Sequence, residues 1–462
     1  MEPISLLLIF LSYFLLLMII SWLVGRKSGN SSFYNGDRKS PWLVVAFGMV
    51  GATLSGVTFI SVPGEVGNSS FHYLQFVMGN VVGYVLIAFF LLPYYYRKNI
   101  ISIYSVLEEK LGKSGYLTTS GFFILSKVMG AAFRLYLAAL VIHMAISEPL
   151  SIPFGATVAF CLLLIWLYTV KSGIKTVVWS DTIQTAILLS AVVITIVVLF
   201  KQINAPVNNV IDEIFQSGIA KIWEFEWRSP NNFFKQFVAG VFVTIALNGF
   251  DQDIVQKNLT CKNSRKARSN MLVFSVMFAV AVFVFLALGA LLYYYANTNG
   301  IEKPLQTDKL YPLIALNHLG VFVQVFFVLG ISAAAFSSAD SATTALTTAF
   351  SIDFLKIDRL QIKKQKRIRS FVHFLFSVLI FGVIILFYKL NNESVVVAIF
   401  KAAGYTYGPI FGVFLFVFFS KRIVRRRFVL PICLISPLIT WATTLLSERF
   451  FNGYKFGFEL IV

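Results

Sequence analysis

Charge, cysteine and histidine are all scarce in this chain. Only 13% of its 462 residues are charged, 58% are hydrophobic, and the mean hydropathy is +0.78, more than a soluble protein of this length tolerates. The three cysteines, Cys161, Cys261 and Cys433, lie in or beside apolar stretches without CxxC spacing, so neither a disulfide framework nor a thiolate metal site is indicated. Four scattered histidines, His72, His143, His318 and His373, read as interfacial or packed rings. The start lacks the basic segment of a cleaved signal peptide, so its apolar run reads as a retained first span. A phosphate-binding loop is missing too: Gly112-Lys113-Ser114 has Leu107 where the first glycine belongs, which disfavours a pump driven by ATP.

What is present is a series of twelve apolar segments of span length, at 4–25, 42–67, 73–96, 116–146, 152–168, 177–200, 233–255, 270–295, 321–350, 371–388, 395–419 and 428–446. The stretch 453–462 reads as the short beginning of another helix. Most lysines and arginines fall in loops after odd-numbered spans, among them Arg97 and Lys98, Lys257 with Lys262 and Arg265, Lys363 to Arg369, and Arg425 to Arg427. The positive-inside rule then puts the N-terminus outside a cell membrane, inner or plasma. The net charge of +18 is thereby a topology signal, with no nucleic-acid partner implied.

Two spans are poor continuous helices. The second holds Gly48, Gly51 and Gly56 around Thr53-Leu54-Ser55, and the seventh reads Asn248-Gly249-Phe250-Asp251-Gln252-Asp253. Glycine and asparagine weaken a helix interior, and freed backbone groups are tolerated in a membrane only where they line a cavity. The two spans enter from opposite sides and each heads a set of five. Glycine for close helix packing explains either alone but not their symmetric placement. The expected fold is an all-α polytopic membrane protein with a five-plus-five inverted repeat and discontinuous first helices. Its repeats are 42–200 and 233–420, joined by an extracellular loop at 201–232 and flanked by 1–41 and 421–462. Paired breaks favour alternating access over a channel pore, and the chain has no room for the signalling domain of a transporter-like sensor.

Function is expected in the run Phe336-Ser337-Ser338-Ala339-Asp340-Ser341-Ala342-Thr343-Thr344 of the ninth span. Ser337, Asp340, Ser341 and Thr344 share one helix face, and a carboxylate there costs several kcal/mol unless a cation, proton or partner meets it. Other charged residues in or at the ends of spans are Lys127, Arg134, Lys401, Glu65, Asp181, Asp251 and Asp253. Lys127 and Arg134, seven apart, share a face and have Asp181, Asp253 and Asp340 as possible partners.

Several motifs together resemble the sodium/solute symporter family: Gly25-Arg26-Lys27, Ser32 to Trp42, Ile103-Tyr104 with Leu107-Glu108, Gly173 to Asp181, Gln256 to Leu259 with Lys262-Asn263, and Gly404 to Pro409. The resemblance implies the leucine-transporter fold, no enzymatic activity, and sodium-coupled import of a small organic solute by a functional monomer in the bilayer. It assigns Na+ to the carbonyls of Gly51 and Leu54 with Ala334, Ser337 and Ser338. Relatives often carry alanine where this chain has Gly51. A second ion position, known from some relatives, corresponds to Asp181, Asp340 and Ser341 with Ser337, where Asp340 replaces the hydroxyl of the sialic acid branch. Cavity positions correspond to Ser55 and Thr58, with Asn248 opposite. Thr58 stands where sodium/sugar members carry glutamine, and Arg134 resembles the carboxylate anchor of sialic acid transporters, as a guanidinium fork suits a carboxylate. A carboxylate-bearing solute is therefore expected; the competing readings are proton coupling through Asp340 and a sodium/sugar symporter.

Overall fold

The computed structural model describes residues 3–26, 29–171, 173–390, 395–422 and 428–450, and these form helices and connecting turns without a strand. The side chain of Lys401 and the stretch 453–462 lie outside the described residues. Among the described residues, helices stand at the twelve expected positions, seven long and apolar enough to cross a membrane, two bent pairs and three shorter apolar helices (in α5, α11 and α12): α1 (Pro3–Gly25), α2a and α2b (Trp42–Thr53, Gly56–Ser69), α3 (Tyr73–Lys98), α4 (Glu108–Ile142), α5 (Phe154–Thr169), α6 (Ile174–Ile203), α7a and α7b (Phe233–Gly249, Gln252–Leu259), α8 (Ser264–Thr298), α9 (Gly320–Ala349), α10 (Ile362–Leu390), α11 (Val395–Phe419) and α12 (Val429–Phe450).

Both expected breaks are present, with bends of 63° between α2a and α2b and 68° between α7a and α7b. In the first, Leu54 leaves helical geometry at φ −76°, ψ 75° and Ser55 is extended. The Ser55 N–H turns back to the Thr53 carbonyl at 3.0 Å, so the Gly51 carbonyl loses the donor that a continuous helix would supply. In the second, a π-helical turn over Ile245–Gly249 ends the first half, and Asp251 opens α7b by accepting the Asp253 N–H at 2.7 Å.

Glycine brings the two repeats together. A Cβ on Gly79 of α3 would stand 2.1 Å from the Phe237 carbonyl oxygen, and one on Gly240 of α7a 2.2 Å from that of Phe76, so only glycines allow this backbone contact. Buried at every residue from Gly330 to Ala349, α9 is a central helix clad on all sides by protein, and its small Ala, Ser and Thr side chains let neighbours approach.

Two assignments are corrected here. Lys257 reads as a loop base just beyond an apolar window, yet all of α7b is buried, including Gln252, Asp253, Gln256, Lys257 and Asn258. The bend turns this polar helix under the core instead of out to a loop. Arg369, also counted with a loop, is buried in α10 with its guanidinium 4.2 Å from the Phe33 ring.

Candidate ion and solute site

The broken α2 meets α9 through hydroxyls and carbonyls. Ser338 Oγ donates to the Ala52 carbonyl at 3.1 Å, so the carbonyl reached is Ala52, between the expected Gly51 and Leu54. A Cβ on Gly56 would stand 3.5 Å from Ala335, which sets the α9 turn carrying Ala334 against the break. Ser337 donates to Asp181 Oδ1 of α6 at 2.6 Å. The Gly51 N–H is bonded to Thr185 Oγ1 at 3.0 Å, and a Cβ there would fall 2.2 Å from that oxygen and 3.0 Å from the Thr185 Cα. Alanine at this position would force α2a and α6 apart.

The carboxylates of Asp181 and Asp340 flank one hydroxyl. Ser341 Oγ lies 3.4 Å from Asp181 Oδ2 and 3.3 Å from Asp340 Oδ1. Asp340 accepts from Tyr168 at 2.8 Å and from Ser180 at 3.3 Å. Lys257 Nζ stands 2.9 Å from Asp181 Oδ2 and 3.6 Å from Asp253 Oδ1. Lys127 Nζ in turn lies 2.9 Å from Asp253 Oδ2 and 3.0 Å from Asp251 Oδ2. A continuous line of buried charge results, running Asp251, Lys127, Asp253, Lys257, Asp181 and, across Ser341, Asp340. Lys257 was missed because it falls past the apolar window; its i, i+4 spacing from Asp253 was the available signal. Tyr168 ends the fifth apolar segment and Tyr407 falls in the Gly404 to Pro409 motif, but nothing in the sequence marks their hydroxyls as donors to Asp340 and Asp251. Thr344, the fourth residue of the expected stripe, is buried outside this cluster with its hydroxyl unbonded, and Glu65 is exposed, taking a hydrogen bond from Asn68 at 3.3 Å.

The expected solute residues lie at the two breaks and on α4. Ser55 Oγ and Thr58 Oγ1 are 3.5 Å apart at the start of α2b. That start touches α4 at Arg134, whose carbonyl oxygen would be 3.8 Å from a Cβ on Gly56. Thr58, Arg134 and Asn248 are half-buried, the last on the π-helical turn. Among the described residues the Arg134 guanidinium has neither a hydrogen bond nor an ion pair. Asp253 is within Coulombic reach of it, but two lysines already hold that carboxylate.

A model of the sodium:solute symporter family matches residues 33–426. The chain is 25% identical over 454 residues to a sodium/sialic acid symporter of Aliivibrio fischeri, covering 95% of this chain and 87% of the relative. It is 24% identical over 413 residues to a sodium/sialic acid symporter of Proteus mirabilis (86% and 80% covered), and 25% identical over 407 residues to sodium-coupled monocarboxylate transporter 1 of Mus musculus (84% and 64% covered). Among solved structures, a substrate-bound, outward-open Na+-coupled sialic acid symporter superimposes with a TM-score of 0.84 at 18% identity, over 99% of this chain and 94% of the other. Mhp1, a nucleobase-cation-symport-1 family transporter, gives 0.53 at 14% identity over 88% and 89%. These likenesses show the fold: all-helical, of leucine-transporter type.

Proposed function

The chain belongs to the sodium:solute symporter family, a multi-pass membrane transporter coupled to Na+, and from that premise we propose that its solute carries a carboxylate. The observation that carries this reading is the unpaired Arg134 beside the broken α2. A guanidinium at membrane depth with no directly paired carboxylate among the described residues is costly, and a solute carboxylate matches its fork with two parallel hydrogen bonds. The relatives named above bear sialic acid and monocarboxylate in their names, and both are carboxylates. Ser55, Thr58 and Asn248 would bond the rest of the solute.

Sodium is assigned to the carbonyls of Gly51, Leu54 and Ala334 with the hydroxyls of Ser337 and Ser338. It is a hard cation that takes several oxygens, and a helix break supplies carbonyls that no N–H consumes. Leu54 and Ser55 are adjacent, so ion and solute share one turn of backbone. An ion that fixes this turn favours the solute, and by linkage the solute favours the ion to the same degree. Asp181, Asp340 and Ser341 form the second ion position. The same reading places the N-terminus outside a cell membrane, takes 42–200 and 233–420 as the repeats that rock against each other, and treats the monomer as the working unit.

The test is a thermal-shift screen of sialic acids, monocarboxylates, amino acids and neutral sugars, each in sodium and in choline. A carboxylate should stabilise the protein in sodium only, and Arg134→Ala should abolish that stabilisation. Stabilisation by a neutral sugar alone, or equal shifts in choline, would overturn the reading.

A further inference from the structure

At the second ion position Asp181 already meets an ammonium, and the ammonium belongs to the chain. We propose that Lys257 is a tethered counter-ion that takes the place of the second sodium, so that this transporter couples to a single sodium ion at the break of α2. The inference rests on the sodium-symport reading above and specifies its stoichiometry.

The contact is direct and buried. Lys257 is 1% exposed, and its Nζ lies 2.9 Å from Asp181 Oδ2. The other oxygen, Oδ1, is taken by Ser337 at 2.6 Å. An ammonium and a sodium ion carry the same charge and seek the same oxygens, so a second cation at this carboxylate would be repelled while Lys257 stays.

Lys257 is also held from behind. Gln252 is bonded to the Ile103 N–H at 2.9 Å and to the Ile101 carbonyl at 2.8 Å; Gln256 donates to the Tyr34 carbonyl at 2.8 Å and to Thr348 at 3.0 Å; Asn258 accepts from Asn270 at 2.8 Å. These bonds fix α7b and with it the stem of Lys257. A free sodium ion leaves to water, whereas this cation cannot.

The local charge fits the same reading. Among the described residues Asp340 takes its side-chain hydrogen bonds from the hydroxyls of Tyr168, Ser180 and Ser341. The one ammonium in contact with these two acids is thus on Asp181, and Asp340 faces it across the Ser341 hydroxyl. Ser337, bonded to Asp181, links this ion pair to the neighbouring sodium position.

The experiment counts sodium ions bound to the chain in lipid nanodiscs, with radioactive sodium at saturation and choline as the balancing cation. The Hill slope of sodium-induced thermal stabilisation is measured in parallel. Wild type should bind one ion with a slope near one, and Lys257→Arg should match it. Lys257→Gln should double the count, its slope rising toward two. Two ions on wild type, or a single ion on folded Lys257→Gln, would overturn the proposal while leaving sodium symport intact; no ion on wild type would overturn both. If Lys257→Gln does not fold, the wild-type and Lys257→Arg counts decide.

Discussion

The break in α2 turns the chain by 63° and the break in α7 by 68°, yet the groups that meet the two freed backbones differ in kind. At α2 they are hydroxyls and bare carbonyls, with Ser338 on Ala52 and Thr185 on Gly51. At α7 they are full charges, with Asp251 and Asp253 both closed by Lys127 and Asp253 again approached by Lys257. The first arrangement has oxygens to offer a mobile cation. The second has been neutralised in advance by the chain and serves as a fixed strut. Pseudo-symmetric geometry thus carries asymmetric chemistry, and on the proposed reading the break of α2 is the one that seats an exchangeable ion.

The largest effect should come from breaking the strut. Lys127→Met leaves Asp251 and Asp253 buried with less cation than they need, and loss of one partner of a buried pair costs roughly 3–5 kcal/mol. Its thermal unfolding temperature should fall well below wild type, and adding Asp253→Asn should recover part of the loss. Melting at the wild-type temperature would mean that charge does not hold the α7 break. A smaller penalty should follow at the other break from Gly51→Ala. Its methyl group would collide with Thr185, and overpacking of this kind costs about 1–3 kcal/mol. Since α2a would move, sodium-induced stabilisation should also weaken; unchanged melting and sodium titration together would remove Gly51 from the contact.

Ser337→Ala sharpens the comparison without threatening the fold. It deletes one hydroxyl and one hydrogen bond, about 1.4 kcal/mol, and should raise half-saturating sodium roughly tenfold while melting in the absence of sodium shifts little. Ser55→Ala should change the sodium titration less, and equal titrations for the two would contradict the assignment of Ser337.

How much of this was legible depended on whether a residue's role is written in its own neighbourhood. The α2 break was, because Gly48, Gly51 and Gly56 crowd Thr53-Leu54-Ser55. So was the α9 stripe, because an acid among alanines and serines in an apolar run is anomalous by itself. The role of Lys257 was not. Its helix is polar and follows an apolar window, the usual mark of a loop, and only the 68° bend and the distant Asp181 make it interior. The choice of Ala52 over its neighbours as the Ser338 acceptor was equally hidden, since it depends on how far α9 is rotated against α2a.

Tyr407 gives the finest test of the contrast. Among the described residues Asp251 accepts four hydrogen bonds from three groups: Lys127 to both oxygens at 3.1 and 3.0 Å, the Asp253 N–H at 2.7 Å, and the Tyr407 hydroxyl at 2.5 Å. Tyr407→Phe keeps the ring and removes only the last of these, so Asp251 remains paired with Lys127. The cost should be that of one hydrogen bond to a charged group, about 1.5–3 kcal/mol at most and less if the remaining donors tighten. On the proposed reading the strut seats no exchangeable ion, so half-saturating sodium should not change, whereas removal of the Ser337 hydroxyl should weaken sodium with little effect on melting. A Tyr407→Phe protein with wild-type melting but a shifted sodium titration would invert that expectation and make the α7 break part of the ion seat.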